Sequence, residues 1–394
     1  MRIVHLDHTQ APGGAELALL RTLQHSPWQG TLVVPRENTG SHASVFAEAT
    51  DSWQLREVGP TQSSGASKAS SRLSVARFAL GILSQATAIR MSKDFRAADI
   101  VHANTSRSAV YGALACWGSR KTLVVHLRDA VDVPSLGSIG FQAFTKLALK
   151  RANGIIANSR GTLASAQPYL GGRTRTVVIS SPIGAMFENH APVGPEVNRI
   201  GMVARLDPWK GQRLLLQAFS DEFAGTSIRL VFAGSPAFGN ETFLHELRVL
   251  AQELGVAHQV DFLGHVTDVA DCIDSLDICV QSSLRPEPLG QNVLQYLARG
   301  RPVIAANEGG PTEWIESGKN GILFQARDRS SLARSLALVV QDATLRRRLA
   351  EAALRTPGLL TDEEVAKAHS EFFRLVMNGS RGKSRRPVNR FRSR

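Results

Sequence analysis

Two basic side chains, Arg205 and Lys210, flank a single turn that ends at Gly211 and opens towards a helix starting at Gln212. Cations at the N-terminal end of a helix suit a diphosphate, whose negative charge grows as it leaves. A second set of polar groups lies in residues 281–310. Glu287 stands between two prolines in a loop and offers a carboxylate to hydroxyl groups. Gln295 follows on a helix, within reach of a second polyol. The free N–H groups and the dipole at that helix start make the loop an anion site. Such parts would hold phosphate, sugar and ribose together. Each part also has a plainer reading, as surface cations on a turn and as a Pro-rich connection between two elements.

The elements that would position these groups are legible around them. Residues 277–280 read as a short buried strand. A helix is expected from Gln291 to Arg299, with Val293, Leu294 and Leu297 apolar at helical spacing and Gly300 as its stop. Residues 301–306 form the next strand, and Gly309-Gly310-Pro311 turn into another helix. Further strands are expected at 200–204, 228–231 and 260–263, the last leading into Gly264-His265. In the first half, strands recur at 3–6, 31–34, 53–58, 99–103, 122–126, 154–158 and 176–180, separated by helical patterns. This alternation predicts parallel, doubly wound α/β sheets.

Polar groups at the carboxyl ends of parallel strands sit on the ligand-binding edge of such a sheet. His126, followed by Leu127-Arg128-Asp129, stands there, as does Asn158-Ser159; His126 could equally cap a helix or satisfy a loop carbonyl. Gly13-Gly14, between the first strand and a helix over residues 16–23, lets backbone approach a ligand closely. It lacks the three spaced glycines of a dinucleotide fingerprint. The residues at 181–184 and 191–195 read as a linker. A helix over residues 72–96, after a flexible loop at 61–67, carries Arg72, Arg77, Arg90 and Lys93 around an apolar set. It fits an amphipathic cover on the sheet, and also a helix resting on a membrane surface.

Composition narrows the class. A chain of 394 residues is ample for two or three domains. Its three cysteines, Cys116, Cys272 and Cys279, are too few and too far apart for a disulfide framework or a zinc site. The first residues read as a strand rather than a signal peptide, and the apolar run 78–89 is too short to span a bilayer, so a cytoplasmic location is expected. The net charge of +12 owes much to residues 379–394, which hold seven Lys/Arg and no acid. That tail is expected to be disordered and able to touch anionic lipid or nucleic acid. The remaining body is only mildly basic, so no specific nucleic-acid partner is expected.

Several motifs in order carry a resemblance. GMVARLDPWKGQRLLLQAF, FLGHVTDV and RPEPLGQNVLQYLARGRPVIAANEGGPTEWI resemble family 4 of the glycosyltransferases, retaining enzymes of the GT-B fold. GGAE near the start, HLRD after a strand, NSR and SPIG are similar in the first half. The resemblance implies two Rossmann-like domains facing each other across a cleft: 1–185 on the acceptor side and 186–360 for the nucleotide sugar. A helix at 361–378 would cross back to the first domain, ahead of the tail.

The resemblance also implies roles. Arg205 and Lys210 would bind the donor diphosphate, both on an exposed turn, and Glu287 would contact the transferred sugar. Leu289, Gly290, Gln291 and Asn292 would surround sugar and phosphate by their backbone, with Gly264 and His265 also on the donor side. Gly13 and Gly14 would approach the diphosphate, and His126 would face the acceptor and the reacting carbon. The second glutamate of the pattern, which grips the ribose, is Gln295 here; an amide accepts through one oxygen only, which puts donor preference in doubt. No cofactor and no metal are implied. The partners implied are a UDP- or GDP-sugar and a saccharide or polyprenyl-linked acceptor, with departure and attack on one face once domain closure excludes water. A peripheral position on the inner membrane face would bring the enzyme to such an acceptor. A non-catalytic sugar-nucleotide-binding protein and a sugar-nucleotide epimerase are the alternatives.

Overall fold

The structure, a computed structural model, describes residues 1–36, 44–47, 53–61, 72–236 and 240–381, without the side chains of 72–76 and 380–381. Of the loop expected at 61–67, Thr61 ends a strand and 62–67 lie outside the described residues. Of the tail expected to be disordered over 379–394, residues 379–381 end a helix instead and 382–394 lie outside the described residues. Contacts divide the chain into two units: Met1–Gly184 together with the segment from Leu360, and Ala185–Leu359.

In the first unit, strands β1 (Arg2–Leu6), β2 (Gln29–Arg36), β3 (Trp53–Thr61), β4 (Ile100–Ala103), β5 (Thr122–Leu127), β6 (Gly154–Ala157) and β7 (Arg175–Val178) form one sheet in the order β3-β2-β1-β4-β5-β6-β7. Every ladder in it is parallel. Strands β4, β5 and β6 are buried throughout, because helices cover both faces of a parallel sheet. Chain order reverses between β1 and β4, which makes a crevice at their carboxyl ends.

The helix Asp362–Arg381 belongs to this unit. Its Val365, Phe372, Phe373 and Val376 pack against Ile3, Ile100, Val124 and Ile156 of the sheet. Burying a residue such as Phe373 contributes about 1.5–3 kcal/mol, so several together hold the helix firmly.

The second unit holds β8 (Arg199–Val203), β9 (Arg229–Ala233), β10 (Val260–Gly264), β11 (Ile278–Gln281), β12 (Val303–Ala306) and β13 (Ile322–Phe324), again all parallel, in the order β10-β9-β8-β11-β12-β13. Its reversal lies between β8 and β11. Leu215, Phe219, Phe232, Val280, Ile304 and Leu336 are among the buried residues of one continuous core. The strand β13 was not anticipated; at three residues it is too short to leave a pattern.

One expected element divides. The helix foreseen over 72–96 is two helices, Arg72–Met91 and Lys93–Ala97. Ser92 takes an extended conformation (ψ 150°) and its hydroxyl accepts from Phe95 N, so it caps a new helix instead of continuing the old one.

Candidate functional site

In the second unit the loops after the two central strands, β8 and β11, are fastened together. Asp207 starts the single turn Pro208–Lys210, accepting from Trp209 N, and its carboxylate lies 3.7 Å from Arg205 Nε. Gly211 then adopts φ +79°, and a Cβ there would stand 1.9 Å from the Ser282 carbonyl oxygen. Only glycine permits that approach. Ser282 Oγ donates to Gly211 O at 3.0 Å, and Leu284 N donates to Trp209 O at 2.7 Å.

This packing brings Lys210 to Glu287. The ammonium lies 2.7 Å from Glu287 Oε1, and Ser283 Oγ donates to the same oxygen at 2.6 Å. Lys210 Nζ also sits 4.1 Å from the centre of the Trp209 ring, while the guanidinium groups of Arg205 and Arg285 lie 6.0 and 5.9 Å from it. Three cations thus gather about one indole, beside a carboxylate that is only 6% exposed. The turn is less open than expected: the Lys210 side chain is 17% exposed and that of Arg205 38%.

The other wall is built on the Gly309-Gly310 turn. Gly310 N donates to Glu287 O at 2.7 Å, and a Cβ on Gly310 would stand 2.3 Å from Leu289 O. The loop carrying Glu287 therefore lies directly on that turn. Leu289 is buried, and Gly290, at φ +75°, caps the helix Gln291–Ala298. At the start of this helix Val293 N and Leu294 N donate back to Gly290 O at 2.9 and 3.3 Å. Asn292 reaches back to the end of β8, its amide 3.5 Å from Val203 O. Gln295 is buried on the same helix. Gly264, at φ +69°, ends β10; its carbonyl accepts from Gly234 N, whose residue packs on Ala204 and Arg205. His265 follows it and is exposed.

Tyr296 was missed by sequence reasoning and does much of the positioning. Its hydroxyl accepts from Val203 N at 2.8 Å and donates to Val203 O at 3.2 Å, with Asn292 Nδ2 at 3.4 Å. A fully buried hydroxyl thereby pins the Gln291–Ala298 helix to the end of β8, and burial pushes its pKa well above the usual value. The available signal was a tyrosine one turn after Asn292 on the apolar face.

In the first unit, Gly13 and Gly14 open the helix Gly14–Gln24. Gly14 is exposed, with open space where a Cβ would stand, whereas a Cβ on Gly13 would meet Glu16 Oε2 at 2.3 Å. The Glu16 carboxyl is raised to about 7, by burial first and by the charge of Asp7 second. At the switch point between β1 and β4, Asn104 Nδ2 donates to Asp7 Oδ2 at 2.7 Å. Arg128, past the end of β5, donates from Nη2 to Asn104 Oδ1 at 2.8 Å and from Nη1 to Ser181 Oγ at 3.0 Å. Its backbone oxygen accepts from Asn158 Nδ2 at 2.9 Å, while Ser159 caps the next helix. Burial lowers the Arg128 pKa to about 10, against the pull of Asp7 and Glu16. Among the described residues, Asp7, His8 and Glu16 also bring ligand-type atoms within 4.8 Å of one another. Both Asp7 oxygens are already engaged there, by His8 N and Asn104.

His126 departs from expectation. Its ring is 1% exposed and lies 5.7 Å from that of His102 and 5.4 Å from that of His369, beneath the helix Asp362–Arg381. Strand alternation turns it into the interior with Val124, so it is neither at an open edge nor capping a helix. Burial holds its pKa well below the usual histidine value, which keeps it neutral.

Comparison with known proteins matches two family models to consecutive parts of the chain. One, described as Glycosyltransferase Family 4, matches residues 39–184; the other, Glycosyl transferases group 1, matches residues 188–356. The chain belongs to the family 4 glycosyltransferases. Two parallel sheets, each with helices on both faces, give it the GT-B pair of Rossmann-like domains. Anabaena HepE, solved with UDP and glucose, is similar with a TM-score of 0.76 at 23% identity, over 95% of this chain and 99% of that one. Sucrose-phosphate synthase from Thermosynechococcus elongatus is similar with a TM-score of 0.79 at 17% identity, over 96% and 99%. Among sequence relatives, EpsD of Bacillus subtilis is 32% identical over 223 residues, 51% of this chain and 56% of that protein. The lipopolysaccharide core biosynthesis glycosyltransferase LpsE of Rhizobium meliloti is 35% identical over 124 residues, 31% of this chain and 36% of that protein. The chain thus spans between about a third and just over half of these two relatives.

Proposed function

We propose that this protein transfers a glycosyl group from a nucleoside-diphosphate sugar to a hydroxyl of a saccharide or lipid-linked acceptor, with retention of configuration. The observation that carries the reading is the Lys210–Glu287 pair, 2.7 Å apart, seated on glycine turns beside the start of the Gln291–Ala298 helix. Arg205 and Lys210 bind the diphosphate and stabilise the charge it gains on leaving. Glu287, held by Ser283 and Lys210, accepts hydrogen bonds from sugar hydroxyls, and the backbone of residues 289–292 meets sugar and phosphate. The nucleotide lies near Gln295, Gly264 and His265. Gly13 and Gly14 are assigned to the donor, and the Asp7–Asn104–Arg128 edge of the first unit to the acceptor. Attack on the face of departure asks for no enzymic nucleophile, which suits a carboxylate already committed to an ion pair. HepE's complexes with UDP and UDP-glucose favour a uridine donor as the first to try, and LpsE's role in lipopolysaccharide core synthesis favours a cell-surface glycan or glycolipid as product.

A panel of UDP-, GDP- and ADP-sugars, with and without glycan acceptors, tests this. Acceptor-dependent nucleotide release with a new glycosidic bond of the donor's anomeric configuration is expected. A changed sugar with no transfer would make it an epimerase, and tight binding without turnover a regulatory protein.

A further inference from the structure

We infer that the outward face of the helix Arg72–Met91 docks on an anionic lipid surface. The helix is held by its inner face: Gln85, Ala86 and Ile89 are buried, and Gln85 Nε2 donates to Val58 O at 2.7 Å. An outer face in water is ordinarily polar. Here Leu80, Leu83 and Met91, spaced with Thr87 along a single stripe, are 65%, 51% and 65% exposed. Arg90 extends the patch by donating to Ala115 O at 2.9 Å and to Trp117 O at 2.5 Å, which brings Trp117, itself 65% exposed, beside the helix end.

Charge decides the occupant. The twenty residues Arg72–Met91 contain three arginines and no acid. Arg77 is exposed on this helix, Lys93 and Arg96 just after it, and Arg120 three residues after Trp117. Of the nearby acids, Asp94 is half-buried and bonded to Thr31, Asp99 is half-buried and accepts from Arg2 N, and Glu57, exposed on β3, accepts from Gln10 Nε2. Large apolar side chains ringed by cations, with a tryptophan at the margin, match the boundary between headgroups and acyl chains. A second copy packed here about a two-fold axis would set these cations against their own counterparts. A nucleic-acid backbone would use the cations and leave the leucines in water. No helix among the described residues is long and apolar enough to cross a membrane, so the contact is interfacial. The inference stands on the first unit alone and does not depend on the transfer reaction.

Co-sedimentation of the full chain with vesicles of phosphatidylcholine alone, and of phosphatidylcholine mixed with phosphatidylglycerol, tests it. Binding to the anionic vesicles only is expected, weakening as salt is raised above about 0.1 M, where screening sets in beyond roughly 10 Å. Leu80→Gln with Leu83→Gln and Trp117→Gln should lower partitioning at least tenfold. Arg77→Gln with Lys93→Gln and Arg120→Gln should lower it similarly, and melting should be unchanged in both, since all six side chains are exposed. Wild-type partitioning by either variant would overturn the inference and move the contact elsewhere in the chain. So would a failure of the wild type to bind, or a loss of dimers or of nucleic-acid binding as the only effect of the substitutions.

Discussion

Lys210 answers to an acidic partner before any donor arrives, and that fixes how its removal will read. Lys210→Ala would leave Glu287, 6% exposed, with Ser283 but without its counter-charge, so it should cost stability as well as turnover. Arg205→Ala is the cleaner probe, because its 38%-exposed side chain lies 3.7 Å from a carboxylate that keeps its bond to Trp209 N. Turnover should fall on the order of 10²-fold for either change, with the melting temperature nearly unchanged for Arg205→Ala alone. Near wild-type turnover in both would remove the diphosphate assignment. Gln295→Glu is expected to bind UDP at least as tightly by titration calorimetry, since a carboxylate can accept from both ribose hydroxyls. A clear loss of affinity would mean that the amide makes a contact a carboxylate cannot. At this scale, residue types and spacing marked Arg205, Lys210 and Glu287, but not the pairing among them, which depends on Gly211 lying against Ser282. Tyr296 left only its place one turn after Asn292 as a mark, because the backbone atoms its hydroxyl binds are 93 positions away.

The helix Asp362–Arg381 covers an unusual interior. His5, His102, His126 and His369 lie together with Trp28 and Phe373, and Trp28 Nε1 donates to His5 Nε2 at 3.0 Å. Burial lowers the His5 pKa to about 3 and that of His369 to about 4, and puts His102 and His126 well below normal. The unfolded chain takes up protons near the ordinary value of about 6.5, while the folded unit does not. Stability is therefore present above that pH and lost as pH falls, by about 1.4 kcal/mol per pH unit for each imidazole that titrates only on unfolding. Glu16, raised to about 7, acts in the opposite sense, but it is one group against four. The urea midpoint of the first unit should drop between pH 7 and pH 5; a flat or rising midpoint would contradict this. None of it was legible locally. Strands buried on both faces show no alternation, so nothing in the residues around His126 said which way its ring turns.

Over the whole molecule, repeated strand–helix alternation was enough to foresee two parallel sheets, because each strand carries a short apolar run and each turn its Gly, Pro, Asp or Asn. The network of Asp7, Asn104 and Arg128 escaped notice for the complementary reason. Its members end three strands far apart in sequence, and only the parallel sheet order brings them to one edge. The central claim is that the second unit holds the nucleotide end of the donor, in the cradle formed by the loops after β8 and β11 and the Gly309-Gly310 turn. Hydrogen–deuterium exchange of the full chain, with and without UDP, locates the nucleotide most directly. Slowed exchange concentrated at residues 203–212, 282–296 and 308–311 is predicted. Unchanged exchange in all three stretches, with UDP, GDP or ADP protecting some other part of the chain, would contradict the account.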